Sequence, residues 1–213
     1  MLENKLLLKI CGLREPGNIR RVAALNPDFM GFIFYPPSPR YIPVAEWREF
    51  PELPSHIRKT GVFVNASSKE ILGTAGRYRL DALQLHGNEG PEQCRQLKTE
   101  GYLLIKALPV SGPEDFHIAS AYEGACDYLL FDTKTSIYGG SGRRFDRELL
   151  KHYRSSLPFF LSGGIGLEEA QILGDFKHPL LAGLDINSRF ETAPGLKDIH
   201  KLKAFIRECP LLH

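Results

Sequence analysis

Eight short apolar runs recur along the chain, and they constrain its fold more than any other feature of the sequence. Each run is five or six residues long, and glycine, proline or asparagine residues bound the runs. Runs of this length and setting are typical of buried β-strands. They occupy residues 6–11, 29–34, 60–65, 82–86, 103–108, 128–132, 158–162 and 182–186.

Polar stretches with helical spacing lie between these runs. Residues 18–25, 68–78 and 168–173 each place their apolar residues on one helical face. Ser67 and Ser68 precede Glu70 as an N-cap would, Pro91 suits a first helical turn, and Pro194-Gly195 suits a turn before the last helix. Alternating strands and helices predict a parallel sheet with crossover helices. Eight such units in 213 residues favour an α/β fold in which the sheet closes on itself. We therefore predict a single-domain (βα)₈ TIM barrel over residues 1–213.

The composition excludes several classes of function. A net charge of +2 without a run of five like charges predicts no nucleic-acid or membrane partner. The four cysteines have neither CxxC nor zinc-ligand spacing, so we expect no metal site and no disulfide framework. The apolar run near the N-terminus is too short for a membrane span and lacks the pattern of a signal peptide. Together these features predict a cytoplasmic protein.

Polar and reactive residues gather at the ends of the predicted strands. In a β/α barrel the carboxyl ends of the strands form the catalytic face. A purely structural barrel has no reason to place such residues there, so we expect an active site. The strand-end residues are Cys11-Gly12, Asn65, His86-Gly87, Asp132, Ser162-Gly163-Gly164 and Asp185-Ile186-Asn187-Ser188.

Cys11 has two interpretations. It is either a small apolar residue at a strand end or a base, with Gly12 allowing a ligand to approach the backbone. Lys9 shares a strand face with Cys11, and a nearby ammonium would favour the thiolate. Lys9 would alternatively form a buried ion pair on the barrel floor with Asp185, and the sequence leaves both possibilities open.

Asp132 ends the sixth run, where a carboxylate is well placed for acid or base chemistry. The alternative is an N-cap of the following turn. The segment after it, 133–143, is long and contains Gly139, Gly140 and Gly142, and such a loop could close over a substrate.

Two further groups would bind anions. Ser162-Gly163-Gly164-Ile165-Gly166 precedes a predicted helix, and bare glycine amides there suit a phosphate, together with Asn187, Ser188 and Arg189 after the eighth strand. A tight turn would also explain the glycines. Arg40 lies in a proline-rich loop that would hold its guanidinium ready for a carboxylate, unless it is a solvated surface arginine.

These motifs resemble the phosphoribosylanthranilate isomerase family. The blocks run in order from the first strand to the last helix, so the resemblance covers nearly the whole chain, and the combination of KICG and QLHG is specific. The blocks are KICG (9–12), GFIF (31–34), SPRY (38–41), GVFVN (61–65), QLHG (84–87), IKA (105–107), GGSG (139–142), GGI (163–165) and PGLKD (194–198).

The resemblance implies an Amadori rearrangement of N-(5′-phosphoribosyl)anthranilate in tryptophan biosynthesis, without metal or organic cofactor. It implies that Asp132 is the general acid at the furanose ring oxygen and that Cys11 is the general base at C2′. It also implies that Arg40 holds the anthranilate carboxylate and that Gly164, Asn187 and Ser188 bind the phosphate. We further expect His86, Gly142, Gly163 and Asp185 to contact the substrate, and the protein to be a monomer or homodimer.

The chain departs from the family pattern at three places. The segment after KICG begins Leu13-Arg14-Glu15, the eighth-strand loop has Asn187-Ser188-Arg189 instead of Ser-Ser-Gly, and Arg147 follows Phe145-Asp146. Two rival functions remain. A histidine-pathway isomerase usually uses two aspartates, which Cys11 argues against. The joint presence of Cys11, Asp132 and Arg40 argues against a non-catalytic metabolite-binding barrel.

Overall fold

Eight parallel strands close into a barrel in the order of the sequence. The computed structural model describes residues 5–43, 51–133 and 145–213, and the strands below lie within these ranges. Each overlaps one of the predicted runs, so the predicted (βα)₈ barrel is confirmed. The strands are β1 (Leu7–Ile10), β2 (Phe29–Ile33), β3 (Arg58–Phe63), β4 (Ala82–Leu85), β5 (Leu103–Val110), β6 (Tyr128–Thr133), β7 (Phe159–Leu161) and β8 (Leu181–Ile186).

The crossover segments are less regular than the expected eight helices. The described α-helices are α1 (Pro16–Ala23), α2 (Ser68–Tyr78), α3 (Pro91–Thr99), α4 (Ala170–Gly174) and α5 (Ile199–Glu208). In the connections after β5 and β6, 3₁₀ helices at Pro113–Tyr122 and Arg147–His152 take the place of the expected α-helices.

The local signals for helix starts are confirmed. The Ser67 hydroxyl accepts from the backbone N–H of Glu70, and the Glu70 carboxylate accepts from Ser67 N–H, which forms a capping box at α2. Pro91 is the first residue of α3. The Asp198 side chain caps α5.

A small hairpin precedes α5 that the strand pattern did not predict. It pairs β9 (Glu191–Ala193) with β10 (Leu196–Lys197) in antiparallel fashion. Gly195 in its turn has a φ of +83°, which favours glycine. The hairpin matters for function because it carries Glu191 and Lys197 towards the end of the barrel where β8 finishes.

Side chains alternate between the barrel interior and the surrounding helices. The interior contains an apolar cluster of Phe29, Ala82, Ile105, Ala107, Leu130 and Phe160. A separate cluster of Cys11, Ile33 and Val62 lies towards the carboxyl ends of the strands. Apolar side chains thus fill the interior of the barrel, and polar side chains collect at the carboxyl ends of the strands. Within the described ranges, no helix has the length and apolar character needed to cross a bilayer.

Candidate active site

One cleft of about 740 Å³ opens at the carboxyl ends of the strands. Residues at seven of the eight strand ends line it, the exception being β5. Arg40 is not among the lining residues, and Gly142 lies outside the described residues, as does most of the segment 133–143. The structure thus brings together most of the strand-end residues singled out from the sequence. Those that line the cleft are Cys11, His86, Asp132, Gly163, Gly164, Asp185, Asn187 and Ser188.

Two glycines make room around Cys11, which is only 4% exposed. A Cβ at Gly31 of β2 would lie 2.6 Å from the Cys11 sulfur. A Cβ at Gly12, where φ is +77°, would lie 2.5 Å from Asn187 Oδ1 and 2.7 Å from Arg40 Cδ. Glycine is therefore required on both sides of Cys11, because larger residues would push away the groups that surround it.

Lys9 combines the two roles that the sequence left open. Its Nζ donates to Asp185 Oδ1 at 2.7 Å, and the Lys9 side chain is fully buried. Burial lowers the pKa of Lys9, but the charges of Asp185 and Cys11 outweigh burial and hold that pKa above its ordinary value. Burial raises the pKa of the Cys11 thiol, and the charge of Lys9 opposes this effect without overcoming it. Lys9 therefore pairs with Asp185 and also favours the Cys11 thiolate.

Asp132 faces His86, which follows β4 and is itself in contact with Gln84 of that strand. Its Oδ2 lies 3.6 Å from His86 Nε2, and its Oδ1 accepts from the backbone N–H of Thr133 at 2.8 Å. His86 Nδ1 lies 2.8 Å from Nε2 of Gln84. Gln84 was not predicted to have a role, although the QLHG block contains it. A polar residue two positions before a strand end shares the face of that end residue, which was the available signal.

A buried ion pair holds the turn that carries His86. Lys106 Nζ donates to Leu85 O at 3.1 Å, to Gly87 O at 2.7 Å and to Glu89 Oε2 at 3.0 Å. Glu89 in turn accepts from the backbone N–H groups of Asn65 and Gly87. Both charged side chains are almost fully buried. This pair was not predicted, although a lysine inside the apolar run 103–108 was a signal for a buried charge.

We expect Lys106→Met to destabilise the protein by ~3–5 kcal/mol, because it leaves the Glu89 carboxylate buried without its cation. Urea denaturation of parent and variant measures the difference. Lys98→Met is the matched control, since Lys98 pairs with Asp127 at 2.8 Å while both side chains are about one-third exposed. That control should lose ~1 kcal/mol or less. Equal losses in the two variants would show that the buried pair does not hold the turn.

Arg40 is buried and bound to a carboxylate of the protein itself. Its Nε lies 2.9 Å and 3.1 Å from the two Glu191 carboxylate oxygens, and its Nη2 lies 2.6 Å from Oε2. Arg40 is 6% exposed, so the alternative of a solvated surface arginine is wrong. The third nitrogen, Nη1, hydrogen-bonds no residue in the described part of the chain. Sequence reasoning missed Glu191 because it lies in the unpredicted hairpin.

Lys197 joins this pair to the loop after β8. Its Nζ donates to Glu191 Oε1 and Asn187 Oδ1, both at 2.7 Å. Pairing with Arg40 and Lys197 outweighs burial at Glu191 and lowers its pKa, whereas burial outweighs pairing at Lys197 and lowers its pKa to about 8. The charge of Lys197 also lowers the pKa of Cys11, in opposition to burial.

The loop after β7 contains two glycines with positive φ. Gly163 and Gly164 have φ values of +89° and +67°. In the described part of the structure, the N–H groups of Gly163, Gly164 and Ile165 donate no hydrogen bond. The predicted helix after them starts as a 3₁₀ turn at Leu167–Glu169 and continues as the short α4, so loop amides, rather than a long helix dipole, would attract an anion.

The fold and the cleft together define the class of protein. Ionisable side chains on separate strands and free glycine amides meet at the catalytic mouth of a closed β/α barrel, which is the arrangement of a (βα)₈-barrel enzyme. The family model for N-(5′-phosphoribosyl)anthranilate (PRA) isomerase matches residues 8–208. The chain belongs to this family of isomerases.

Curated and solved relatives agree with this assignment. An N-(5′-phosphoribosyl)anthranilate isomerase of Parabacteroides distasonis is 50% identical over 211 residues, which cover 98% of this chain and 94% of that protein. The crystal structure of phosphoribosyl anthranilate isomerase from Thermotoga maritima matches with a TM-score of 0.83 and 37% identity, covering 96% of this chain and 98% of that one. A further solved isomerase contains reduced 1-(o-carboxyphenylamino)-1-deoxyribulose 5-phosphate, with a TM-score of 0.80, 33% identity and coverage of 96% and 98%.

Proposed function

We propose that this isomerase converts N-(5′-phosphoribosyl)anthranilate to 1-(o-carboxyphenylamino)-1-deoxyribulose 5-phosphate in tryptophan biosynthesis, with Asp132 as general acid and Cys11 as general base. The observation that carries the proposal is that these two side chains line one cleft from the non-neighbouring strand ends of β6 and β1. The reaction needs one acid and one base at separate points on a sugar. The reduced product bound to a solved relative supports the same substrate class.

In the first step, Asp132 would protonate the furanose ring oxygen. The bond between that oxygen and C1′ breaks, its electron pair stays on the oxygen, and the anilino nitrogen supplies the pair that forms a protonated Schiff base. Asp132 is then a carboxylate. Thr133 N–H donates to its Oδ1 and His86 Nε2 faces its Oδ2, so the surroundings suit the charge that appears after proton transfer.

In the second step, the Cys11 thiolate would remove the proton from C2′. The electron pair of the C–H bond moves towards the Schiff-base nitrogen, which gives a neutral enolamine that tautomerises to the ketone. Burial raises the pKa of Cys11, and Lys9 and Lys197 oppose this effect with their charges. These buried lysines are therefore the groups that favour the thiolate and limit the rise in the Cys11 pKa that burial causes.

The two anionic ends of the substrate would be held apart. The amides of Gly163, Gly164 and Ile165, which donate to no group in the described part of the structure, suit the phosphate, together with Asn187 and Ser188 after the neighbouring strand β8. Asp185 and His86 complete the cleft between the two ends. Fixing both ends of a flexible molecule converts binding energy into orientation of the reacting carbon atoms.

Arg40 would bind the anthranilate carboxylate through Nη1, because Glu191 occupies its Nε and Nη2. We expect Arg40→Ala to lower kcat/KM by the loss of a charge-assisted pair, ~1.5–3 kcal/mol. Because the same change unpairs Glu191, unfolding must be measured beside the kinetics at a temperature where the variant is folded. Arg14→Ala, at a nearby exposed arginine, is the control for charge. A change of less than about twofold in kcat/KM would reject the contact with substrate.

The direct test of the proposed reaction is to add phosphoribosylanthranilate to the purified protein and follow loss of its fluorescence. Steady conversion to the carboxyphenylamino-deoxyribulose phosphate supports the proposal. Tight binding without conversion would favour a metabolite-binding barrel instead, and conversion only of the histidine-pathway substrate would favour the other aldose–ketose isomerase.

Two broader proposals concern the protein in the cell. All four cysteines are buried and unpaired, which fits a reducing compartment such as the cytoplasm. We also propose that the chain acts as a monomer or homodimer, and light scattering on the purified protein distinguishes the two.

A further inference from the structure

Gln84 lies in the floor of the cleft, and only the nitrogen of its amide has a hydrogen-bond partner in the described part of the structure. It is 1% exposed and stands on β4 two residues before His86, so the two side chains share the inner face of the barrel. Its Nε2 lies 2.8 Å from His86 Nδ1. Its Oε1 has no hydrogen-bond partner in the described part of the structure. A buried unpaired amide oxygen destabilises the fold, so an apolar side chain of the same length would serve a purely structural role better.

The contacts of the His86 side chain favour one tautomer of the neutral ring. If Gln84 Nε2 donates to Nδ1, then Nδ1 carries the lone pair and the proton is on Nε2. That N–H faces Asp132 Oδ2 across 3.6 Å. The opposite tautomer would turn a ring lone pair towards the carboxylate, and it would also require Gln84 to present its oxygen to Nδ1. The Gln84 amide therefore selects the Nε2–H tautomer from one side of the ring, and Asp132 on the other side favours the same tautomer once it has become a carboxylate.

We propose that Gln84 is a positioning residue that fixes His86 as the Nε2–H tautomer, so that His86 donates to the Asp132 carboxylate once that acid has released its proton. The inference rests on the proposed function, in which Asp132 protonates the ring oxygen. It assigns to Gln84 no contact with the reacting atoms. The effect of Gln84 passes through His86, and this distinguishes it from a residue that binds the substrate directly.

The tautomer is measured by long-range ¹H–¹⁵N NMR spectra of the histidine rings, recorded through the titration so that the neutral form is observed. The His86→Asn variant identifies the His86 signals by their loss. In the parent we expect the Nε2–H pattern. In Gln84→Glu an acceptor replaces the donor at Nδ1, so the ring should carry a proton on Nδ1. The control Gln96→Glu makes the same change at an exposed position of α3, where Oε1 accepts from Ser68, and should leave His86 unchanged.

Kinetics test whether the tautomer matters. Partners that fix the tautomer of a metal-binding histidine are worth ~10–100-fold in activity, and we expect Gln84→Met to lower kcat by a factor of the same order while KM stays within about twofold. The Met variant removes an unpaired buried oxygen and should fold, which thermal unfolding checks. In the His86→Asn background, Gln84→Met should have no further effect on kcat.

Three results would overturn the inference: an Nδ1–H ring in the parent, an unchanged ring in Gln84→Glu, or an equal loss of kcat from Gln84→Met with and without His86. The NMR measurement of the His86 tautomer does not require the protein to be catalytically active. A parent protein that fails to convert phosphoribosylanthranilate would therefore reject the proposed function while the role of Gln84 at the His86 ring is still decided by the spectra.

Discussion

Replacing Asp132 by Asn is expected to remove most turnover while leaving the affinity for a product analogue about normal. The amide keeps the shape of the carboxyl group but has no acidic proton to deliver to the ring oxygen. Loss of a general acid costs ~10²–10⁴-fold in rate. Asp132 is about one-quarter exposed at the side of the cleft, so the change creates no buried unpaired charge and the fold should persist.

The measurements for Asp132→Asn are kcat and the dissociation constant of reduced carboxyphenylamino-deoxyribulose phosphate. Asp127→Asn is the matched control, because Asp127 begins the same region of chain but binds Leu104 N–H and Lys98 away from the cleft. A kcat within about tenfold of the parent, ~1.4 kcal/mol in barrier, would mean that another group supplies the proton. Loss of analogue binding together with kcat would make Asp132 a binding or structural residue.

Cys11→Ser is the second change for which we expect a loss of ~10²–10⁴-fold in kcat. A hydroxyl is a much weaker base than a thiolate, because it is almost never deprotonated near neutral pH. The smaller serine fits the space beside Gly31 and Gly12, so the fold should remain intact. Cys94→Ser is the control, since Cys94 is a buried cysteine on α3 that does not line the cleft, and its kcat should be that of the parent.

The pH dependence gives Cys11 a further signature. Burial raises the pKa of the Cys11 thiol above its ordinary value, although Lys9 and Lys197 oppose the shift. The active form is the thiolate, so its fraction and kcat/KM should rise with pH through the neutral range. The Cys11→Ser variant should lack this rise. A parent profile that is flat or falls over this range, or near-normal turnover in the variant, contradicts the role of Cys11 as base.

The repeated strand pattern was readable from the sequence because burial imposes it locally. Runs such as 103–108 and 128–132 are apolar since both faces of a barrel strand are covered, by the interior on one side and by helices on the other. The end of each run then predicted which residues would meet, because parallel strands finish at one edge. Cys11, His86, Asp132 and Asn187 were found in this way, and all four line the cleft.

The sequence did not predict which charged residues pair, because pairing depends on contacts between distant parts of the chain. Glu191 and Lys197 are ordinary polar residues in the sequence, and they become buried only when the β9–β10 hairpin folds beneath the loop that follows β8. Lys9 illustrates the same limit. Its sequence position allowed either an effect on Cys11 or an ion pair with Asp185, and the barrel provides both.

The sequence by itself determined the barrel, the position of the active site at the carboxyl ends of its strands, and most of the residues that line the cleft. These features follow from local patterns, because the burial of a strand and the place where it ends are both visible in a short stretch of sequence. Tertiary structure alone decided that Arg40 is bound to Glu191, that Lys106 holds the His86 turn through Glu89, and that Gln84 approaches the His86 ring. The physical reason is that the strength of a charge or hydrogen bond depends on burial and on a partner at ~3 Å, and both are set only when the barrel closes.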